Sequence, residues 1–122
     1  MAVMPPISGS FNYPTAYRIG AGRVAELAAS CRELGIERPL LVTDPGVAAL
    51  PWFAAIASRL AEAGLAVRVF SAIDANPAVG HVEAGLAEAK AHAADGCVLV
   101  GGGSALDVGK CIALLARNPG SV

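Results

Sequence analysis

The chain has 122 residues, enough for one small domain with a modest core. Apolar residues make up 55% and charged residues 16%, which excludes a disordered tail. A net charge of −1, no basic block and few aromatic residues disfavour binding to nucleic acid or to a membrane surface.

The opening residues, Met1 to Ser8, have no basic region and no long apolar core, so they do not read as a signal peptide. No apolar run approaches the length of a membrane span. Residues 1–13 are rich in Pro, Gly and Ser and are expected to wrap the surface as an arm. Thr15 to Ile19 suits a first short strand. Gly20-Ala21-Gly22 follows, and then a helix with Val24, Leu27, Ala28, Cys31 and Leu34 on one face, ended by Gly35.

Pro39 to Asp44 is a buried strand that ends in a carboxylate, and Pro45-Gly46 turns the chain. The next helix shows Leu50, Phe53, Ala57 and Leu60 on one side and closes at Gly64. Ala66 to Phe70 is a strand. After the loop Asp74-Ala75-Asn76-Pro77, Asn76 is the expected cap and Pro77 the first-turn residue of a helix lined by Val79, Val82, Leu86, Ala89 and Ala93. Asp95-Gly96 turns into the strand Cys97 to Val100.

Strand centres near Val42, Val69 and Leu99 recur about every thirty residues with a helix between each pair, the spacing of βαβ units. Strands this short and this apolar are covered on both faces, so the sheet is parallel. The alternation predicts an α/β fold, an open doubly wound parallel sheet of Rossmann-like type with helices on both faces. The whole of residues 1–122 then reads as one dinucleotide-binding domain. The last residues, Arg117 to Val122, carry turn chemistry that leads onward, which predicts an incomplete domain, the amino-terminal part of a longer protein.

Three cysteines, Cys31, Cys97 and Cys111, are widely spaced and odd in number. They read as reduced thiols of a cytoplasmic protein, packed as small hydrophobes rather than used in catalysis.

The stretch richest in chemistry is Gly101-Gly102-Gly103-Ser104. It follows the last strand directly and opens a helix with Val108, Ile112 and Leu115 on one face. Glycines let the backbone take dihedrals that a Cβ forbids and let a ligand approach closely. The helix start aims unpaired N–H groups and partial positive charge at the turn, so the arrangement suits a phosphate. A plain structural alternative is that Ser104 caps the helix, Asp107 completes a capping-box-like pair and Lys110 pairs with Asp107. Capping does not account for three adjacent glycines. A Walker A loop is excluded, because Ser104 stands where its first glycine belongs and Cys111 follows Lys110.

A second match competes. Gly20-Ala-Gly22-Arg-Val-Ala25 fits G-x-G-x-x-G/A, with Asp44 near the position of a ribose-binding acid. The strand before it is short and carries Tyr17 and Arg18, and a plain turn into a helix explains it equally well. The pyrophosphate is therefore assigned to Gly101–Ser104. Asp44, at the carboxyl end of a parallel strand, would accept hydrogen bonds from a ribose hydroxyl and repel a 2′-phosphate, favouring NAD over NADP. Its alternative role is to cap the turn before Pro45-Gly46.

Leu41-Val-Thr-Asp44-Pro45, Asn76-Pro77 and Val100-Gly-Gly-Gly-Ser-Ala-Leu-Asp107-Val-Gly-Lys110, together with Ile19-Gly-Ala-Gly22 and Asn118-Pro119-Gly120, resemble the amino-terminal nucleotide-binding domain of the iron-containing (group III) alcohol dehydrogenases. The resemblance runs from about Tyr13 to the end. It extends in looser form to glycerol dehydrogenases, maleylacetate reductases and dehydroquinate synthases. It implies that Asp44 meets the adenosine ribose and Asn76 lines the cleft. Gly101, Gly102, Gly103 and Ser104 would hold the pyrophosphate, with Asp107 near the nicotinamide and Lys110 helping to fix it. Ala78 stands where such proteins often carry a polar residue after Asn-Pro.

The resemblance also implies a carboxyl-terminal helical domain holding a divalent metal, iron or zinc, through one Asp and three His. This chain has only His81 and His92, about three helical turns apart and too far to share a metal. Neither a catalytic residue nor a metal ligand is therefore assigned here. The implied parent transfers a hydride between a small alcohol or aldehyde and NAD and forms a homo-oligomer such as a dimer, whereas this piece alone is expected to be inactive. A non-catalytic nucleotide-binding module is the alternative from another class.

Overall fold

The computed structural model describes residues 3, 6–12 and 15–118. Strands β1 (Gly9–Asn12) and β2 (Ala16–Ile19) form an antiparallel hairpin with Gly9 opposite Ile19. Part of the expected arm is thus a paired strand. A 3-10 turn, Arg23–Glu26, leads into helix α1 (Leu27–Glu33). Its expected apolar face holds at Cys31, which is buried, and at Leu27 and Ala28, which pack beside it, whereas Val24 is 50% and Leu34 77% exposed.

The parallel sheet consists of β3 (Pro39–Val42), β4 (Arg68–Phe70) and β5 (Gly96–Leu99) in the order β4-β3-β5. Leu41 of β3 stands beside Val69 on one side and Val98 on the other. All four residues of β3 are buried, as a central strand covered on both faces requires. The short helix α2 (Pro45–Ala48) and the helix α3 (Pro51–Glu62) connect β3 to β4. Helix α4 (Val79–His92) connects β4 to β5, and α5 (Gly103–Leu115) follows β5.

Alternate residues of β3 build two cores. Leu40 and Val42 pack with Phe70, with Val82 and Ala89 of α4, and with Val108 and Ile112 of α5. Leu41 packs on the other face with Cys31 of α1 and with Phe53, Ile56 and Leu60 of α3. The sheet is therefore doubly wound. Pro119 and Gly120, part of the expected closing turn, lie outside the described residues.

Glycines let α5 lie close to the sheet and α4 close to both α5 and the sheet. A Cβ on Gly109 of α5 would come within 2.1 Å of the Leu99 side chain, and one on Gly85 of α4 within 2.3 Å of Ile112. At the opposite end of the strands, the Asp95 carboxylate accepts the N–H groups of Glu37 and Arg38 at 2.9 and 2.8 Å. The Arg38 guanidinium in turn donates to the His92 carbonyl. Partial desolvation pushes the Asp95 carboxyl up, but those two N–H groups and the Arg38 charge outweigh it and hold it below its ordinary value.

Gly109→Ala should lower stability by about 1–3 kcal/mol, because Leu99 must leave its rotamer; chemical denaturation measures this. A depressed folded-state carboxyl contributes stability that is complete above the ordinary Asp range. It is lost as pH falls through the lower folded value. Asp95→Ala should therefore cost about 1 kcal/mol or less at neutral pH, because solvent screens an exposed carboxylate, and progressively less in acid, read by denaturation at several pH values.

Candidate functional site

The carboxyl ends of β3 and β5 are held together by Thr43. Its side chain is 0% exposed, and its Oγ1 donates to the Val100 carbonyl at 2.7 Å. Its backbone N–H donates to the Phe70 carbonyl at 3.0 Å, and the Val100 N–H to the Val42 carbonyl at 2.9 Å. One threonine thus links the ends of all three strands. Its signal in the sequence is a lone hydroxyl closing an otherwise apolar run, Leu40 to Val42. Buried hydroxyls need partners, and this one has its acceptor.

The chain winds from β3 to β4 on one side and then crosses to β5 on the other. Helix α3 covers one face, and α4 and α5 the other. The crevice between β3 and β5 is therefore the switch point of the sheet, where ligands of open α/β folds bind. Asp44 leaves β3 at this crevice and Gly101 leaves β5. Asp44, Pro45, Gly46, Ile73, Asp74, Ala75 and Ser104 line a cleft of about 420 Å³ there.

Asp44 caps α2, its Oδ1 accepting the Val47 N–H at 2.8 Å. Its Oδ2 faces Gly101, 3.3 Å from where a Cβ on that glycine would lie. Gly101 has φ 141°, and its added Cβ would also crowd Ala105 at 3.2 Å. The chain's own packing thus accounts for Gly101. It does not account for Gly102 and Gly103, where an added Cβ meets nothing within 4 Å. Their missing side chains leave open space in front of α5.

That helix starts earlier than the capping alternative requires. Gly102 is its cap, with φ −88° and no side-chain bond, and the first backbone bond runs from the Leu106 N–H to the Gly102 carbonyl at 3.1 Å. Ser104 lies inside the first turn, and its Oγ donates to the Ala75 carbonyl at 3.3 Å. The N–H groups of Gly103, Ser104 and Ala105 precede the first helical bond and face the loop, the geometry that receives an anion.

The remaining assigned residues lie on the β4–α4 loop and on α5. Asp107 is exposed and lines a second cavity, of about 200 Å³, with Pro77, Ala78, Val79 and Cys111. Asn76 is exposed between the residues lining the two cavities and does not cap α4, whose cap is Ala78. Lys110 is exposed, and among the described residues it makes no ion pair, so the Asp107–Lys110 pairing is absent. The competing loop, Gly20–Ala25, follows a hairpin strand rather than a strand of the parallel sheet. Its Arg23 is engaged by Glu26 at 2.7 Å and by the Gly9 carbonyl.

Two features elsewhere are structural. A groove of about 600 Å³ at the opposite end of the strands is lined by Arg32 and Arg38, but the Ala63 and His92 carbonyls take up their guanidinium groups. The three cysteines are free. Burial pushes the Cys31 and Cys97 thiols up, away from nucleophilic use. Among the described residues, no three His, Cys, Asp or Glu side chains gather as a metal site, and no helix is long and apolar enough to cross a membrane.

Residues 14–122 match the family model described as iron-containing alcohol dehydrogenase. The chain belongs to this family. It is 41% identical to a 4-hydroxybutyrate dehydrogenase of Cupriavidus necator, over 90% of this chain and 28% of that protein. It is 34% identical to an NAD-dependent methanol dehydrogenase of Bacillus methanolicus, over 93% of this chain and 30% of that protein. Its fold matches a crystal structure of a 1,3-propanediol oxidoreductase with TM-score 0.79 and 34% identity, over 83% of this chain and 26% of the other. The chain spans under a third of the length of the curated relatives it matches.

Thr43→Val keeps the shape but leaves the Val100 carbonyl without its donor. A loss of about 1–3 kcal/mol is expected, measured by urea unfolding.

Proposed function

We propose that residues 1–122 form the dinucleotide-binding part of an NAD-dependent oxidoreductase of this family. The enzyme would interconvert a small alcohol and its aldehyde. The observation that carries the reading is the pair Gly102 and Gly103: no internal contact requires them, yet they leave space where the α5 N–H groups converge. A pyrophosphate fits that space. The backbone N–H groups of Gly103 to Ala105 would hydrogen-bond it, and the positive end of the α5 dipole would offset its charge.

The other residues orient the nucleotide. Asp44 Oδ2 would accept from the adenosine ribose, and a phosphate on that ribose would meet a carboxylate. Asn76 would line the cleft, and Asp107 would lie beside the nicotinamide end, with Lys110 helping to fix it. The nicotinamide supplies the hydride chemistry, and this chain supplies position. The name of the Bacillus methanolicus relative supports NAD as the cofactor. A divalent metal does not fit the described residues of this chain, so no step is assigned to one here. Free thiols accord with a cytoplasmic setting.

Calorimetric titration with NADH and NADPH tests this. NADH should bind in preference to NADPH. Gly102→Ala should weaken NADH about tenfold or more with the fold retained in a melting scan and only the small loss of a poorer helix cap, since its Cβ touches nothing in the chain itself. Equal binding of the two nucleotides would overturn the role of Asp44. Undiminished binding by Gly102→Ala would overturn the assignment of the loop.

A further inference from the structure

The loop between β4 and α4 separates the two cavities. Asp74 and Ala75 line the cleft that holds Asp44 and Ser104, while Pro77 and Ala78 line the cavity that holds Asp107. Its start is anchored by Ile73, which is 2% exposed. Its middle is touched by the Ser104 hydroxyl at Ala75. Its two ends meet at one side chain, His81, in the first turn of α4.

His81 Nδ1 accepts the Ala78 N–H at 2.8 Å, and the His81 N–H donates to the Ala78 carbonyl at 3.0 Å. The first of these is the bond that a glutamate or glutamine makes in a capping box, here supplied by an imidazole. An accepting Nδ1 puts the ring proton on Nε2. Nε2 lies 3.3 Å from Asp74 Oδ2. The side chain is only 21% exposed, although Asp74 is 82% exposed. One ring thus spans the loop from Asp74 to Ala78 and closes it around Asn76-Pro77.

We propose that His81 is a positioning residue for the dinucleotide cleft: it locks the Asp74–Ala78 loop in the shape that borders both cavities. This rests on the nucleotide-binding reading above. The lock removes loop freedom before the ligand arrives, and a preordered loop loses less entropy on binding. Without the ring, the Ala78 N–H loses its acceptor within the chain, and among the described residues the Asn76-Pro77 segment is left tied through Ile73 and Ser104.

The test uses this chain, with His81→Ala and His81→Gln. Glutamine offers an acceptor for Ala78 and a donor for Asp74 on one amide, so it preserves the lock while removing the imidazole. In the absence of nucleotide, the Ala78 amide should exchange about fivefold faster or more in His81→Ala than in the native chain. NADH affinity should fall about fivefold or more, and both should recover in His81→Gln. Unchanged exchange at Ala78, or unchanged NADH affinity with faster exchange, would overturn the proposal. Failure of the native chain to bind NADH would overturn the nucleotide reading and the binding half of this inference together. The exchange data would still report on the loop itself.

Discussion

The Thr43 hydroxyl is the interaction on which the rest of the arrangement depends. Parallel strands end where their hydrogen-bond ladder ends, and the residues beyond are free to splay. Here the ladder is prolonged by one side chain. Thr43 Oγ1 reaches the Val100 carbonyl while its N–H reaches Phe70, so β4, β3 and β5 finish in register. The consequence is local and specific. Asp44 and Gly101 are the next residues along β3 and β5, and their separation is set by that bond. A valine would pack as well but would leave the half-buried Val100 carbonyl without its donor, which is why a polar residue is tolerated at the end of this otherwise apolar strand.

The second constraint is the depth at which α4 and α5 lie. Gly109 lets α5 approach Leu99, and Gly85 lets α4 approach Ile112 and Phe70. Larger residues would lift both helices away from the sheet. The first turn of α5 would then move from the strand ends, and Ser104 would lose Ala75. The position of the loop is thus decided by packing well behind it, one turn and more along the helices. Rigid supporting elements behind a loop are the usual means of holding a binding geometry.

Much of this was legible in the residues. Apolar strands at a regular interval, each followed by a helix, imply a parallel sheet because only burial on both faces supports such strands. The run Gly101 to Ser104 stood out because three glycines exceed what a turn needs, and only Gly101 proves to be needed by the turn. What was not legible lies in the helix starts. Ser104 and Asn76 are good caps by type, yet Gly102 and Ala78 hold those positions. Cap preference is a matter of about 1 kcal/mol. The Ser104–Ala75 bond and the His81–Ala78 bond compete at that scale; the first joins residues far apart in sequence, and the second has capping-box spacing but uses an imidazole where that pattern calls for Glu or Gln. The hairpin was half legible. Thr15–Ile19 reads as a strand, but its partner, rich in Gly and Ser, reads as an arm. Antiparallel pairing with Ile19 overrides that weak propensity.

Asp44 shows why a structural role and a binding role are poor alternatives for a carboxylate. It has two oxygens with separate lone pairs. The Val47 N–H fixes Oδ1, and with it the plane of the group. Oδ2 is then aimed along the crevice toward Gly101 without further ordering. A carboxylate left to rotate would lose that freedom when a hydroxyl ligand arrived, and part of the binding energy would be spent on it. The cap therefore does not weaken the case for a ribose at Asp44. It makes the geometry on which such recognition depends available before any ligand is present.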